Sequence, residues 1–234
     1  MRRVDGTLRV NVQLVSTETG THSAYARIGR LPEAKRAIAE PDRLFPYDTV
    51  RAHWPDDPSS PVYAEQIRHF QEGLRLAGER DHADEGADFG VPADRTLHNA
   101  FAGLTSTSAL GVTTIRTAEL ASFLAKARPI VIDVVSYSWG RSIPGAVGLR
   151  SAGWGGNFSD LGQDRLRKKM HELTAGDLNK PAVAVGWNSE RFDGYNLALR
   201  LAALGYTKVY RYRGGREAWE VAGLPETELT IQDW

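Results

Sequence analysis

Three short apolar runs, PIVIDVV at 129–135, PAVAVGW at 181–187 and KVYRY at 208–212, follow one another with helix-patterned stretches between them. That alternation constrains the chain more than any other feature. Short runs rich in valine and isoleucine suit strands buried on both faces, and strands separated by helices pair in parallel through right-handed crossovers. The helices are legible at their ends: TAELASFLAKA starts at Thr117, a good N-cap, DRLRKKMHELT follows the first strand, and GYNLALRLAALG and GREAWEVAG are stopped by Gly205 and Gly223. For residues 112–226 the expectation is an α/β domain of three layers around a central, mostly parallel sheet, with 227–234 as a C-terminal tail.

Upstream the rhythm differs. Leu8, Val10, Val12 and Leu14 alternate with Arg9, Asn11 and Gln13, the period of a half-buried strand, and 16–20 supply a turn into a second strand from His22 to Ile28. Residues 1–30 therefore read as a β-hairpin, which needs something to pack against. Residues 31–80 read as short helices joined by proline-rich turns, with Tyr63, Ile67, Phe70, Leu74 and Leu76 on one face and a stop at Gly78. Residues 81–111 carry no sustained period and many Asp, Gly and Ala, as a linker would.

Composition narrows the function classes. Lysine plus arginine and aspartate plus glutamate number 29 each, so no global field draws the chain to nucleic acid or to an anionic membrane. There is no cysteine, which excludes disulfides, thiolate metal sites and a cysteine nucleophile. No leader of secretory character and no run long enough to span a bilayer stand out, which makes the cytoplasm the expected setting. The stretch DHADEGADFG gathers Asp81, His82, Asp84, Glu85 and Asp88 without the spacing of a calcium loop. Arg165, Arg167, Lys168, Lys169 and His171 form the wet face of a helix whose Leu166 and Met170 turn inward. The expectation is no metal and no cofactor.

Three ordered landmarks, VIDVVSYSWGRSIPGAVGL from Val131, ALGYTKVYRYRGGREAW from Ala203 and VAGLPE from Val221, together resemble the rhodanese-like family. The likeness runs over about 112–226 and rests on Asp133 at a strand end, Ile143 to Ala146, Gly214-Gly215, Trp219 and Ala222 to Pro225. It implies the three-layer rhodanese fold and a catalytic cysteine where AVAVGW runs out, with the following loop cradling a persulfide. In this chain that position falls on Gly186, Trp187 or Asn188, depending on how the loop is aligned, and none carries a thiol. The loop most resembles a subgroup in which two cysteines and a tryptophan precede the helix, with Arg191-Phe192 standing where Cys-Trp would. The N-terminal half resembles the C-terminal region of adenylate-cyclase-related tetratricopeptide proteins.

The loop Asn188 to Gly194 has three readings. In one it is a helix start capped by Asp193, with Arg191 paired to Glu190 or Asp193. In another the anion cradle survives without its nucleophile: the amides of Asn188, Ser189, Glu190, Arg191, Phe192, Asp193 and Gly194 converge on a small oxyanion, a phosphorylated group or an acidic partner side chain, with Arg191 supplying charge. In the third, Ser189 or Asp193 is a substitute nucleophile, although no histidine lies in the loop. Asp133, Trp139, Arg141 and Trp154 stand on the same carboxyl edge and would wall the site, where open α/β sheets bind ligands. The functional expectation is a non-catalytic rhodanese-like binding or regulatory module, meeting a protein partner or a small anion. The alternative is an enzyme of altered, non-sulfurtransferase chemistry using Ser189 or Asp193.

Overall fold

The computed structural model describes residues 21–44, 46–53, 61–135 and 140–234. The chain divides into two compact units, Met1–His82 and Ala83–Trp234.

In the first unit, residues 21–27 form α1, followed by α2 (Leu31–Leu44), α3 (Val50–His53) and α4 (Pro61–Ala77). The buried positions of α4 include Ile67, Leu74 and Ala77, a helical stripe, whereas Leu76 falls off it and is 49% exposed. The side chain of Tyr63 lies outside the described residues. At Gly73 the helix meets α1 so closely that a Cβ would sit 2.1 Å from Ser23 Oγ. Ser23 Oγ donates to Phe70 O across that contact at 2.9 Å. Gly78, at φ +102, ends α4 with its amide donating back to Leu74 O at 3.1 Å. The return strand expected over 22–28 is instead helical, and its partner strand at 8–14 lies outside the described residues. The buried set His22, Ser23 and Ala26 has the spacing of a helix face rather than the alternation of a strand.

The second unit holds β1 (Thr113–Ile115), α5 (Thr117–Lys126), β2 (Ile130–Asp133), β3 (Arg141–Ser142), β4 (Ala146–Gly148), α6 (Leu161–Thr174), β5 (Ala182–Val185), α7 (Phe192–Ala203), β6 (Val209–Tyr212), α8 (Gly215–Val221), β7 (Thr227–Glu228) and β8 (Thr230–Ile231). Six strands make one sheet in the order β1-β6-β5-β2-β4-β8, and each neighbouring pair is parallel. The three strands expected from sequence are β2, β5 and β6, which lie side by side at its centre. Residues 227–234 are not a tail, because β8 pairs with β4 at Val147↔Thr230 and β7 pairs antiparallel with β3.

Period-two alternation in β5 sorts the two faces. Ala182 and Ala184 pack with Leu166 and Met170 of α6 and Leu197 and Leu201 of α7. Val183 and Val185 pack with Leu120 of α5 and Trp219 of α8 on the other side. Each such leucine, fully buried, contributes roughly 1.5–3 kcal/mol. Thr117 is not the cap of α5 but its first residue: the N-cap is Arg116, whose backbone N–H donates to the Glu119 carboxylate at 2.8 Å. The Thr117 hydroxyl instead donates to Glu85 and shares a hydrogen bond with Tyr212.

That contact is part of a larger correction. Residues 83–111, expected to be a linker, belong to the second unit and run as a strap with no helix or extended strand of their own. Its hydrogen bonds go to side chains and loops on the carboxyl edge of the sheet, so the domain begins at Ala83 rather than near 112.

Candidate functional site

Strands β1, β2, β5 and β6 all point their carboxyl ends at one edge, and the residues just past those ends assemble there. Asp133, the last residue of β2, is 1% exposed. Its carboxylate accepts from the Ser142 hydroxyl at 2.5 Å and from Val135 N at 2.9 Å, with Arg216 Nε 3.6 Å away. Burial pushes its pKa up, against the pull of Arg216 and the two hydrogen bonds.

The loop after β5 is closed on itself. Trp187 is 1% exposed, and its carbonyl accepts from Glu217 N while that of Gly186 accepts from Arg216 N, each at 3.0 Å. Asn188 Oδ1 accepts from Glu190 N at 2.9 Å, and its Nδ2 donates to Glu217 at 3.0 Å. The Asp193 carboxylate accepts from Gly194 N at 2.7 Å and, more weakly, from Trp187 N at 3.3 Å. Phe192 N donates to Phe101 O and Arg191 N to Asn188 O. The expected convergence of loop amides on an open point is therefore corrected: Asp193 takes that of Gly194, Asn188 those of Glu190 and Arg191, and Phe101 O that of Phe192. Buried away from water, Asp193 has its pKa pushed up to about 6, with Gly194 N–H and Arg191 opposing the rise. A Cβ on Gly186 would sit 2.1 Å from Asp193 Oδ1, so this infolding needs glycine there. Asp193 lies in the first turn of α7 and is not the N-cap, which is Arg191 without a side-chain cap bond.

Over this loop runs the strap. Thr105 Oγ1 donates to Ser189 O at 2.5 Å, Gly103 N to Glu190 O at 2.9 Å, and Ser189 Oγ to Asp84 O at 2.9 Å. Two arginines of the YRYRGG segment, unremarked in the sequence, hold it down. Arg211 donates to Ser106 O at 2.8 Å and to Thr105 Oγ1 at 2.6 Å, and stacks over the Tyr195 ring at 4.8 Å. Arg213 donates to Glu85 O at 2.6 Å and Thr105 O at 3.2 Å. Arg211 is 1% exposed and has no ion pair among the described residues, and burial with Arg213 nearby pushes its pKa down to about 9. It remains a buried cation at neutral pH, held by neutral acceptors.

Beside the closed loop lies a pocket of about 460 Å³, lined by strap residues 98–101, by 153–156 after β4, and by Asp193 and Asn196 of α7. Asn196 fixes both walls: its amide nitrogen donates to His98 O and to Gly153 O at 2.9 Å each, and its oxygen accepts from His98 N at 2.9 Å. Arg200 fixes the second wall, donating to Gly155 O at 2.8 Å and to the carboxylate of Asp160. That contact holds the Asp160 pKa well below the ordinary carboxylate range. The His98 ring stacks on Phe192 at 4.1 Å.

Of the residues expected to gather here, Trp154 and Asp193 do line one pocket, and Asn188, Ser189, Glu190, Arg191 and Gly194 lie in the buried loop next to it. Arg141 does not join them: it sits in β3, turned to Glu226 with a bond to its carbonyl at 3.0 Å. Trp139 lies outside the described residues. Sequence reasoning missed His98, Asn99 and Phe101, which carry no period or motif. Among the described residues no group of His, Asp and Glu is arranged to hold a metal ion, and no helix is long and apolar enough to cross a membrane.

Residues 116–222, a little under half of the chain, match the family model described as a rhodanese-like domain. Nothing supports the tetratricopeptide-like resemblance read in the N-terminal half. No curated protein matches the chain. Among solved structures, a full-length protein from Lactobacillus plantarum is similar at 21% identity and TM-score 0.39, over 50% of this chain and 88% of that one. The polysulfide-sulfur transferase homodimer of Wolinella succinogenes is similar at 15% identity and TM-score 0.35, over 53% and 81%. A thiosulfate sulfurtransferase from Pseudomonas aeruginosa is similar at 18% identity and TM-score 0.38; 76% of this chain is covered, but only 33% of that one.

Proposed function

We propose that the rhodanese-like domain matched at residues 116–222 serves in this chain as a non-catalytic binding module. The observation that carries the reading is the state of the loop after β5. Trp187 fills the end of the strand, and the Asp193 carboxylate answers amides that the resemblance would give to a persulfide. Sulfur transfer of the rhodanese kind needs a thiolate, and the chain has no cysteine. The substitute nucleophiles are poorly placed: Ser189 is 1% exposed and its Oγ donates to a backbone carbonyl, and Asp193 is 5% exposed. The same contacts argue against a small anion seated in the loop, so the binding role belongs to the neighbouring pocket. A protein or small-molecule partner, a signalling role and a cytoplasmic setting are parts of this reading.

The test is a thiosulfate:cyanide sulfur-transfer assay on the purified full chain, beside a thermal titration with sulfate. The expected result is no turnover above buffer and an unmoved thermal midpoint. Turnover at an ordinary rhodanese rate, with contamination excluded, sinks the non-catalytic reading. A sulfate-dependent rise in the midpoint that Arg191→Ala abolishes restores the anion cradle.

A further inference from the structure

We infer that the pocket between the strap and the loop after β4 binds a small organic cation, such as a quaternary or protonated amine. The inference deepens the binding-module reading and rests on it. Charge is the first argument. Among the described residues that line the cavity there is neither lysine nor arginine, and Asp193, whose carboxylate accepts from Gly194 N and Trp187 N, is the one acidic residue. The Arg200 guanidinium is turned behind the wall, onto the carbonyls of Trp154, Asn157 and Gly155 and the Asp160 carboxylate, and that of Arg191 is stacked on the Phe101 ring. A phosphate or carboxylate entering here would find no lysine or arginine among the described lining residues.

The aromatic walls are the second argument. Trp154 is 60% exposed and Phe101 is 44% exposed, and both line the same cavity. Large aromatic surface left open toward one concavity marks a ligand site more readily than scattered exposure does. The faces of these rings carry negative potential and attract cations, tryptophan most strongly. Phe101 already shows the affinity: the Arg191 guanidinium carbon lies 4.6 Å from its ring centroid.

Rigidity is the third. Asn196 ties both walls together, and a Cβ on Gly155 would meet Asn99 Oδ1 at 2.4 Å and His98 O at 2.6 Å, so the two segments already touch as closely as backbone allows. A preformed site avoids the ordering cost that weakens small ligands.

The experiment is calorimetric titration of the full chain with choline, with its uncharged isostere 3,3-dimethylbutan-1-ol, and with sodium phosphate. Choline is expected to bind about tenfold or more tighter than the isostere, equivalent to about 1.4 kcal/mol, and phosphate not to bind at the pocket. Trp154→Ala and Phe101→Ala should each weaken choline about tenfold while leaving the thermal midpoint within a few degrees; Trp154→Phe should retain part of the affinity. Equal binding of choline and the isostere, choline binding indifferent to Trp154→Ala, or no choline binding at all overturns the inference. None of these results touches the non-catalytic reading, which stands or falls on the sulfur-transfer assay.

Discussion

Asp193 is the residue on which the loop turns. Its carboxyl sits in the helix start where an external anion would be held, and burial raises its pKa from 3.8 to about 6. The folded state then holds this proton more tightly than the unfolded chain does, so stability falls as pH rises from about 4 to about 6 and levels above that. Once ionised, the group carries a penalty of about 3 kcal/mol at neutral pH. Asp193→Asn keeps an acceptor for Gly194 N–H and removes the ionisation. The variant should gain up to about 3 kcal/mol near pH 7, and the gain should shrink as pH approaches 4. Denaturant unfolding at the two pH values measures it; a variant less stable than the parent at neutral pH would show that the carboxylate is needed as an anion. Asp160 behaves oppositely. Its pKa is lowered by Arg200, so the stability it contributes is lost as pH falls below its unfolded value of 3.8, outside the Asp193 window.

At the scale of elements, the strap shows how a segment without secondary structure is fixed. With no regular ladder of its own, it satisfies part of its backbone in local turns and the rest on Tyr195 and Asn196 of α7, on Arg211 and Arg213 at the end of β6, and on Glu217 of α8, whose carboxylate accepts from Ala83 N at 2.8 Å. Arg211 is the central tie. Arg211→Met keeps the apolar stem but leaves Thr105 Oγ1 without its guanidinium donor and Ser106 O without its own, a loss of about 2 kcal/mol or more. Amide exchange at 103–108 should accelerate while β5 and β6 keep their protection. If exchange instead rises evenly over the whole domain, the arginine supports the sheet rather than the strap.

At the scale of the molecule, the second unit is complete only from Ala83. A chain beginning near 112 would carry Arg211, Arg213, Asn196 and Ser189 with their buried partners removed, and would open the Phe192 ring, which packs on His98 and against Gly103. Unpaired buried polar groups cost about 1–3 kcal/mol each, and a domain of this size has only about 5–15 kcal/mol in reserve. Residues 83–234 should therefore unfold cooperatively, whereas 112–234 should be molten or insoluble. Circular dichroism and denaturant titration of the two fragments decide it, and equal cooperativity would return the boundary to 112.

Period and punctuation made the core readable before any coordinates. Val183 and Val185 against Ala182 and Ala184, and the glycine stops at Gly205 and Gly223, are local signals, and they place β2, β5, β6 and the helices around them. They also expose the missing thiol, since absence of cysteine is a property of composition alone. Where the turn at 16–20 predicts a return strand over 22–28, neighbouring helices override it: Ala26 finds partners in Ala34, Ile38 and Ala77, and that packing requires a helical face. The strap and the pocket left no local trace, because Thr105 and Ser106 are placed by Arg211 more than a hundred positions away, and His98 by Asn196 nearly as far along the chain. The sequence by itself determined the alternation of central strands β2, β5 and β6 with the helices between them, and that no thiol is present. Only the tertiary structure decided that Asp193 folds inward and that the loop after β5 is closed, because both depend on which distant donors and acceptors meet once the sheet has formed.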